Sequence, residues 1–406
     1  MIKKMLSIEK SAFSTRIYIL GFKFSIKRKY KANNKIYSIP IEKNRIFFET
    51  FSSTYSCNPK YITEEILKQH LPYELIWGVK KGVDKSQFPK NVTIVEQGSD
   101  EYIRKIASSK IIVRNDRSMC DLECGLIKKQ GQKYIQTWHG SLGIKKTGID
   151  INKANGKSIY SHEIDAKTID YLTSNSDFTD ELFKNIFFNN GEILKIGHPR
   201  NDIFFKETNS VKTRIFEKYR IPLDAKTIMY APTFRDKSTD LSIYSLEMKQ
   251  LKNALDDRFG GHWVILTRLH PKLKNLKEQF MNKELDYVFD VTDYSDIQEL
   301  LVSVDSVITD YSSCIYDFML TRKPGFIFAT DIERYNTSRG FYYPLESTPF
   351  PISKNINELV NNIKNFNYEN YIKDVDKFLD GKGCIDNGTA SEKVVGLIQN
   401  IIESDK

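Results

Sequence analysis

Histidine and arginine side chains directly follow several of the short apolar stretches that are predicted to form strands. His139 and His270 each follow the end of such a stretch, and Arg235 follows a third. An imidazole with an ordinary pKa near 6.5 suits a general base, and a guanidinium can hold two phosphate oxygens at once. Each residue also has a structural alternative: a loop histidine, a capping histidine, or a salt bridge from Arg235 to Asp236. Together they predict acid–base chemistry on a phosphorylated substrate.

Residues 197–202 form a second kind of polar cluster, in which a proline is followed by an Asn-Asp pair. This composition predicts a tight turn, and its position predicts the crossover between two domains. His198 lies within it. A catalytic role and a hinge role for this histidine both remain open from the sequence.

Residues 303–335 are predicted to form a strand, a turn, a helix and a second strand. Ser312 and Ser313 stand at the predicted N-terminus of the helix, just after Asp310. Free backbone N–H groups and the positive end of the helix dipole are a common means of binding phosphate. An ordinary serine-capped turn is the structural alternative.

The order of predicted elements gives the fold class. From about residue 44, strands alternate with helices, which predicts βαβ units and parallel sheets. We therefore expect an α/β protein with two domains that face each other across a cleft. Ligands of such sheets bind beyond the carboxyl ends of the strands, where the polar clusters are predicted to lie.

The predicted organisation has four parts: a basic arm at 1–34, an acceptor-side domain at 35–205, a donor-side domain at 206–387, and a C-terminal helix at 388–406. The polar segment 206–214 marks the boundary between the domains. A capping box of Thr389 and Glu392 is predicted to begin the last helix.

Composition excludes several classes of protein. The chain has 406 residues, 40% of them hydrophobic, and its five scattered cysteines argue against a disulfide framework. The glycine-rich fingerprints of NAD enzymes and P-loop NTPases do not occur in the sequence. Metal-binding sequence motifs do not occur either, so no metal and no cofactor is expected.

The net charge of +9 is concentrated at the N-terminus. Residues 1–32 carry nine Lys or Arg and one Glu, a net charge of +8, and bulky apolar residues are interleaved with these charges. Such a segment suits an anionic membrane surface, at roughly 1 kcal/mol for each well-placed basic residue. Nucleic acid binding and a solvated tail are the alternatives, and membrane contact is preferred because the apolar residues need a partner.

Taken together and in order, these motifs resemble a known family. The resemblance rests on Gln136-Thr137-Trp138-His139-Gly140, Gly197-His198-Pro199-Arg200-Asn201-Asp202, Tyr230-Ala231-Pro232-Thr233-Phe234-Arg235-Asp236, His270-Pro271, Thr309-Asp310-Tyr311-Ser312-Ser313 and Ser338-Arg339-Gly340-Phe341. This set resembles the CDP-glycerol glycerophosphotransferase family, which comprises teichoic acid primases and polymerases and related capsule enzymes. The resemblance implies a GT-B-like fold of two Rossmann-type domains, attached peripherally to the cytoplasmic face of the bacterial plasma membrane.

The resemblance also implies an activity and residue roles. The activity is transfer of glycerol phosphate or ribitol phosphate from a CDP-alditol to a hydroxyl of a lipid-linked glycan or polyol-phosphate acceptor, with release of CMP. His139 would be the general base on the acceptor side. Further residues would contact the donor: His270 as a second catalytic residue, with Arg235, Asp310, Ser312, Ser313, Asp317, Arg339 and Gly340 as substrate-binding residues.

Two other functions remain open at this point. One is a GT-B glycosyltransferase that uses CMP-sialic acid or a UDP-sugar. The other is a non-catalytic, membrane-docked protein that binds polymer. The length of the chain favours a primase or a capsule enzyme over a polymerase with an added domain.

Overall fold

The computed structural model describes residues 6–11, 14–19, 22–27, 33–117, 124–154, 159–187, 190–235, 242–270 and 285–404. Asp236 and Pro271, which entered the sequence analysis, lie outside the described residues, as does Cys120, one of the five cysteines.

The N-terminal segment contains an antiparallel sheet of its own. Its strands are β1 (Leu6–Ser11), β2 (Ser14–Ile19) and β3 (Phe22–Lys27), joined in that order. Tyr18 pairs with Ser7 on one side and with Lys23 on the other. The predicted contact of this basic arm with a membrane stays a prediction.

The first α/β domain follows. Its elements are α1 (Asn34–Tyr37), β4 (Glu42–Glu49), α2 (Cys57–Lys68), β5 (Glu74–Val79), β6 (Thr93–Glu96), α3 (Asp100–Ser108), β7 (Ser109–Arg114), β8 (Lys133–Gln136), α4 (Gly148–Ala154), α5 (Tyr160–Ala166), β9 (Tyr171–Ser174), α6 (Asp177–Ile186) and β10 (Glu192–Lys195). The strands are parallel, in the order β10-β9-β8-β7-β4-β5-β6. Central strands such as β7 are buried along their whole length, as expected for a sheet covered on both faces.

The second α/β domain repeats this plan. Its elements are α7 (Asn209–Tyr219), β11 (Lys226–Tyr230), α8 (Met248–Phe259), β12 (Trp263–Thr267), β13 (Val288–Asp290), α9 (Ile297–Ser303), β14 (Ser306–Thr309), α10 (Cys314–Phe318), β15 (Gly325–Phe328), α11 (Ile332–Arg339), β16 (Ile352–Ser353), α12 (Ile356–Lys364) and α13 (Tyr368–Gly381). The strands are again parallel, in the order β13-β12-β11-β14-β15-β16.

Both sheets therefore have the Rossmann strand order, which confirms the predicted parallel α/β fold. The strand order reverses between β4 and β7 in the first domain and between β11 and β14 in the second. Ligands of open parallel sheets bind in the crevice at this switch point, beyond the carboxyl ends of the strands. The loops after these strands are therefore the places to look for a site.

The predicted boundary segment at 206–214 contains the start of a helix, a possibility that the sequence left open. This helix, α7, begins at Asn209. Ile215 and Phe216 of this helix are completely buried in a cluster with Leu300 and Leu301. Packing of this apolar face stabilises the helix, whereas the polar residues before it do not indicate helical structure.

The last helix, α14 (Ala390–Glu403), crosses back to the first domain, where Val394 and Ile398 pack in one cluster with Ile62. The predicted capping box is wrong, because Thr389 makes no side-chain cap. Asp202 caps the helix instead: its carboxylate accepts hydrogen bonds from the amides of Ala390 at 3.0 Å and Ser391 at 2.7 Å. Among the described residues, no helix is both long and apolar enough to span a membrane.

Candidate active site

His139 follows β8 at the edge of the first sheet, and its ring has a fixed protonation pattern. Its Nδ1 atom lies 2.6 Å from the carbonyl oxygen of Asn115, the residue directly after β7. A carbonyl can only accept, so Nδ1 carries the proton and Nε2 is the basic atom. Burial lowers the pKa of His139 below its ordinary value, while the charge of Asp116 opposes this shift. The imidazole is therefore neutral near pH 7 and suited to accept a proton.

Aromatic rings hold the imidazole from its sides. The ring centroid of Trp138 lies 4.5 Å from that of His139 in a stacked arrangement, and that of Phe51, which follows β4, lies 4.8 Å away. Trp138 has a φ of +53°, an unfavourable conformation for a bulky residue. Asn58 at the start of α2 stabilises this turn by donating hydrogen bonds to the carbonyls of Thr137 at 3.1 Å and Trp138 at 2.9 Å.

Arg200, from the crossover segment, links the His139 loop to the second domain. Its guanidinium donates to the carbonyl oxygen of His139 at 2.6 Å and forms an ion pair with Asp317 of α10 at 2.8 Å. Both side chains of the pair are about 95% buried. Ser141 and Gln298 also donate to the carboxylate of Asp317, at 2.7 and 2.9 Å. The predicted substrate contact of Asp317 stays a prediction, but here its oxygens are occupied in joining the domains.

The loop that carries His139 then crosses the cleft. A Cβ built on Gly143 would lie only 3.1 Å from the Cβ of Ser313, so the glycine permits this close approach. Lys145 forms a backbone bridge to Phe341 in the second domain, and the amide of Lys146 donates to the carbonyl of Gly340 at 3.1 Å. One loop of the first domain therefore reaches both the Ser312–Ser313 turn and the Arg339–Gly340 segment.

Lys145, on this loop, is a cation that lies beside the second domain. No hydrogen bond or ion pair within 4 Å holds its ammonium group in the described parts of the chain. Burial lowers the pKa of Lys145 to about 8, Asp310 opposes the shift, and the nearby charges of Arg339 and Arg235 add to it. The charge of Lys145 also lowers the pKa of His139. Lys145 thus lies within electrostatic range of both the base and the switch point of the second domain.

Arg235 lies at that switch point, but its guanidinium is already occupied. It forms a two-pronged interaction with Asp331 at 2.8 and 2.9 Å and an ion pair with Asp310 at 2.8 Å. Its guanidinium also donates a hydrogen bond to the carbonyl of Thr233. Burial would lower its pKa, yet the hydrogen bonds and charges of the two aspartates raise it. The predicted phosphate contact of Arg235 stays a prediction, and in this structure the residue organises the turn after β11.

Asp310, directly after β14, holds the same turn from the other side. Its carboxylate accepts the backbone amide of Thr233 at 2.9 Å, so the loops after β11 and β14 are fastened together. The guanidinium carbon of Arg235 lies 4.9 Å from the ring of Tyr311 and 4.7 Å from that of Tyr335. These contacts fix the loops after β11 and β14 in position next to the Ser312–Ser313 turn.

The remaining predicted donor residues lie at other loops and helix ends of the second domain. Ser313 is the N-cap residue of α10, whose five residues give it a weaker dipole than a long helix has. His270 is exposed at the carboxyl end of the second sheet and stacks on Phe234 at 5.3 Å. Gly340 ends α11 with a φ of +79°, which favours glycine. Arg339 is the last residue of that helix and lowers the pKa of Lys145.

His198 has a position that suits the hinge alternative. It is fully buried, neither ring nitrogen has a hydrogen-bond partner in the described part of the chain, and burial lowers its pKa far below the ordinary value. Its backbone amide donates to Asp386 at 2.8 Å. The segment 197–202 therefore lies inside the junction of the domains and does not face the cleft.

Comparison with known proteins gives the family. The sequence profile of the CDP-glycerol:poly(glycerophosphate) glycerophosphotransferase family matches residues 32–400. The chain belongs to this family. The predicted resemblance is thereby confirmed.

Relatives within the glycerophosphotransferase family cover most of this chain. It is 33% identical over 378 residues to the teichoic acid poly(glycerol phosphate) polymerase of Staphylococcus epidermidis, a match that covers 89% of this chain and 51% of the relative. It is 33% identical over 380 residues to the teichoic acid glycerol-phosphate transferase of Staphylococcus aureus, which covers 88% and 93% of the two proteins. The chain thus spans about half the length of the first relative.

A solved structure in this family has the same architecture. The wall teichoic acid polymerase TagF superposes with a TM-score of 0.76 at 32% identity, and the match covers 90% of each chain. The predicted GT-B-like fold of two Rossmann-type domains is confirmed.

Sequence reasoning missed two residues of this candidate site. Asn115 contributes through its backbone carbonyl, which no sequence pattern reveals. Lys145 was visible as one of two adjacent lysines after Gly143, but nothing local distinguishes it from the exposed Lys146. No cluster of three or more His, Cys, Asp or Glu suited to a metal ion occurs in the described part of the chain.

Proposed function

We propose that this protein transfers glycerol phosphate from CDP-glycerol to a hydroxyl group of a teichoic acid or capsular acceptor and releases CMP. The observation that carries this proposal is that His139 and Lys145 lie on the same loop, which crosses from the first domain to the second. On this loop, the proposed neutral base lies near the switch point of one domain, and a half-buried cation lies beside the switch point of the other. Phosphoryl transfer depends mainly on such positioning and charge.

The proposed step is a direct displacement at phosphorus. The acceptor oxygen forms a bond to the phosphorus that carries glycerol, and the bond from that phosphorus to the bridging oxygen breaks. The electron pair leaves with CMP. Nε2 of His139 takes the proton of the attacking hydroxyl. The two substrates supply every atom that is transferred, so the step uses no cofactor.

The donor is proposed to lie over the carboxyl end of the second sheet. Lys145 would neutralise the charge that develops on CMP, because Arg235 is already balanced by Asp310 and Asp331. The amides and hydroxyls of Ser312 and Ser313 would hold the pyrophosphate, and His270 would contact it from the end of β12. Arg339 and Gly340 would then contact the nucleotide or the polyol.

The acceptor is proposed to be a lipid-linked glycan or a polyol-phosphate chain, reached at the cytoplasmic face of the plasma membrane. The excess of eight positive charges in residues 1–32 supports a peripheral contact with anionic lipid. The similarity to a teichoic acid polymerase and a teichoic acid glycerol-phosphate transferase supports teichoic acid as the class of product.

The decisive experiment measures release of the nucleotide by the full chain: CMP from CDP-glycerol, CDP-ribitol or CMP-sialic acid, and UDP from a UDP-sugar. CDP-glycerol, CDP-ribitol, CMP-sialic acid and a UDP-sugar are each supplied with an acceptor that ends in glycerol phosphate. We expect CMP release, and extension of the acceptor by one glycerol phosphate, with CDP-glycerol. Turnover of a sugar nucleotide in place of the CDP-alditols would indicate a glycosyltransferase. Binding of the acceptor without consumption of any donor would indicate a binding protein.

A further inference from the structure

A cavity of about 170 Å³ lies directly behind the ring of Trp138 in the first domain. Its wall includes Asp116, which follows Asn115, and Phe187, whose ring packs edge-on against that of Trp138 at 5.5 Å. Because Trp138 stacks on His139, the cavity and the general base share a wall. A cavity needs at least about 10–15 Å³ to hold one water molecule. A cavity of about 170 Å³ therefore has room for a small polyol.

The cavity contains the guanidinium of Arg117, which has no counter-ion among the residues that the structure describes. Arg117 lines it, and in the described residues no carboxylate lies within ion-pair distance of this side chain. Its Nη1 atom is buried and has no hydrogen-bond partner within the described ranges. Arg117 as a whole is half-buried, and a buried guanidinium nitrogen without an acceptor is costly. An oxyanion that accepts hydrogen bonds from this side chain would remove the cost. The free protein therefore holds a cation that suits a phosphate group.

The other polar groups of the cavity suit hydroxyl groups. Burial, together with the charge of Arg117, lowers the pKa of His162 to about 4, so this imidazole is neutral. Its Nε2 accepts a hydrogen bond from the side-chain amide of Asn152 at 3.4 Å, which leaves Nδ1–H as a donor. The carboxylates of Asp116 and Asp165 also line the cavity and accept hydrogen bonds from hydroxyls. The lining thus combines one cation, two carboxylates and a neutral imidazole with an aromatic wall.

We propose that this cavity is the acceptor subsite, in which Arg117 binds the last phosphodiester of the acceptor while the terminal glycerol unit presents its hydroxyl to Nε2 of His139. This inference rests on the proposed function, and it adds the chemical class of the acceptor end and the residue that recognises it. It also separates the substrates: the donor phosphates lie with Lys145 and the acceptor phosphate lies with Arg117.

The test compares an acceptor that ends in a glycerol phosphate unit with the same acceptor lacking that unit. We expect Arg117→Met to raise KM for the first acceptor about 10- to 100-fold, the value of a hydrogen-bonded charge, and to leave KM for CDP-glycerol unchanged. The acceptor without the unit should show no difference between Arg117→Met and the unmodified protein. Acceptors with one unit and with several units distinguish a primer end from a growing chain, and the effect on either supports the subsite.

The matched control is Arg104→Met, which removes an equal charge from an exposed position on α3. Direct binding of the phosphorylated acceptor without donor gives a readout that does not depend on turnover. If Arg117→Met does not fold, Arg117→Lys, which keeps the charge and loses the two-pronged geometry, should still weaken acceptor binding. The inference is overturned if the Arg117 variants behave like Arg104→Met or if KM for CDP-glycerol rises instead. Absence of CMP release by the unmodified protein would instead overturn the proposed function.

Discussion

Nδ1 of His139 donates its proton to the carbonyl oxygen of Asn115 at 2.6 Å, which fixes Nε2 as the only atom of the ring that can accept a proton. A backbone carbonyl cannot be removed by side-chain substitution, and it does not become charged. The orientation and the tautomer of the proposed base are therefore set by the end of a buried strand, β7, and not by a neighbouring acid.

Replacing His139 by alanine should reduce turnover by about 10²- to 10⁴-fold, because the attacking hydroxyl loses its base. The affinity for CDP-glycerol should persist, since the proposed donor contacts lie in the second domain and at Lys145. Steady-state kinetics and direct binding of CDP-glycerol provide the measurement. His262→Ala, at an exposed position, is the matched control and should change neither quantity. An equal loss of binding and turnover would show that His139 positions the donor.

The dependence of kcat/KM on pH should be bell-shaped. His139 must be neutral to act, so activity is lost as the pH falls through its pKa, which burial places below 6.5. Lys145 must be charged to act, so activity is lost as the pH rises through about 8. Lys145→Arg should remove the alkaline limb up to about pH 10, because arginine stays protonated there. An unchanged alkaline limb in this variant would exclude Lys145 as its origin.

The ion pair of Arg200 and Asp317 should matter for stability more than for donor affinity. Asp317→Ala leaves a buried guanidinium without its partner and should lower the free energy of unfolding by roughly 3–5 kcal/mol, as measured by denaturant titration. Asp376→Ala breaks a pair with Arg322 whose side chains are 49% and 37% exposed, and should cost at most about 1 kcal/mol. Unchanged stability with a raised KM for CDP-glycerol would instead support a substrate contact of Asp317.

Gly197 should tolerate a methyl group poorly. A Cβ there would lie 3.1 Å from Oδ1 of Asp386 and 3.2 Å from the Cβ of Ala390, at a φ of +95°. Gly98 also has a positive φ, +81°, but open space around it. Gly98→Ala should cost roughly 1–2 kcal/mol of backbone strain, and Gly197→Ala about 1–3 kcal/mol more from overpacking. If thermal unfolding shows that Gly98→Ala and Gly197→Ala lower the stability equally, the residues around Gly197 can move to accommodate the methyl group.

Local patterns were sufficient to predict the elements that carry the site. Alternating apolar strands and helices predicted both parallel sheets, and the polar residues after the strands pointed to the correct edge of each sheet. The cap of α14 was predicted wrongly, and the helix at Asn209 was left open. Each depends on a distant partner: Leu300 and Leu301 bury the face of the helix at Asn209, and Asp202 caps α14.

The sequence by itself determined the fold class, the family and the loop of His139, because these follow from residue order and short-range periodicity. Only the tertiary structure decided which charges are available for a substrate. Arg235 is neutralised by Asp331, which is 96 residues away in the chain, and Asp317 by Arg200, which is 117 residues away. Lys145 and Arg117 lack such partners in the described part of the chain. The energy of a charge depends on burial and on its neighbours in space, and neither can be read from neighbours in sequence.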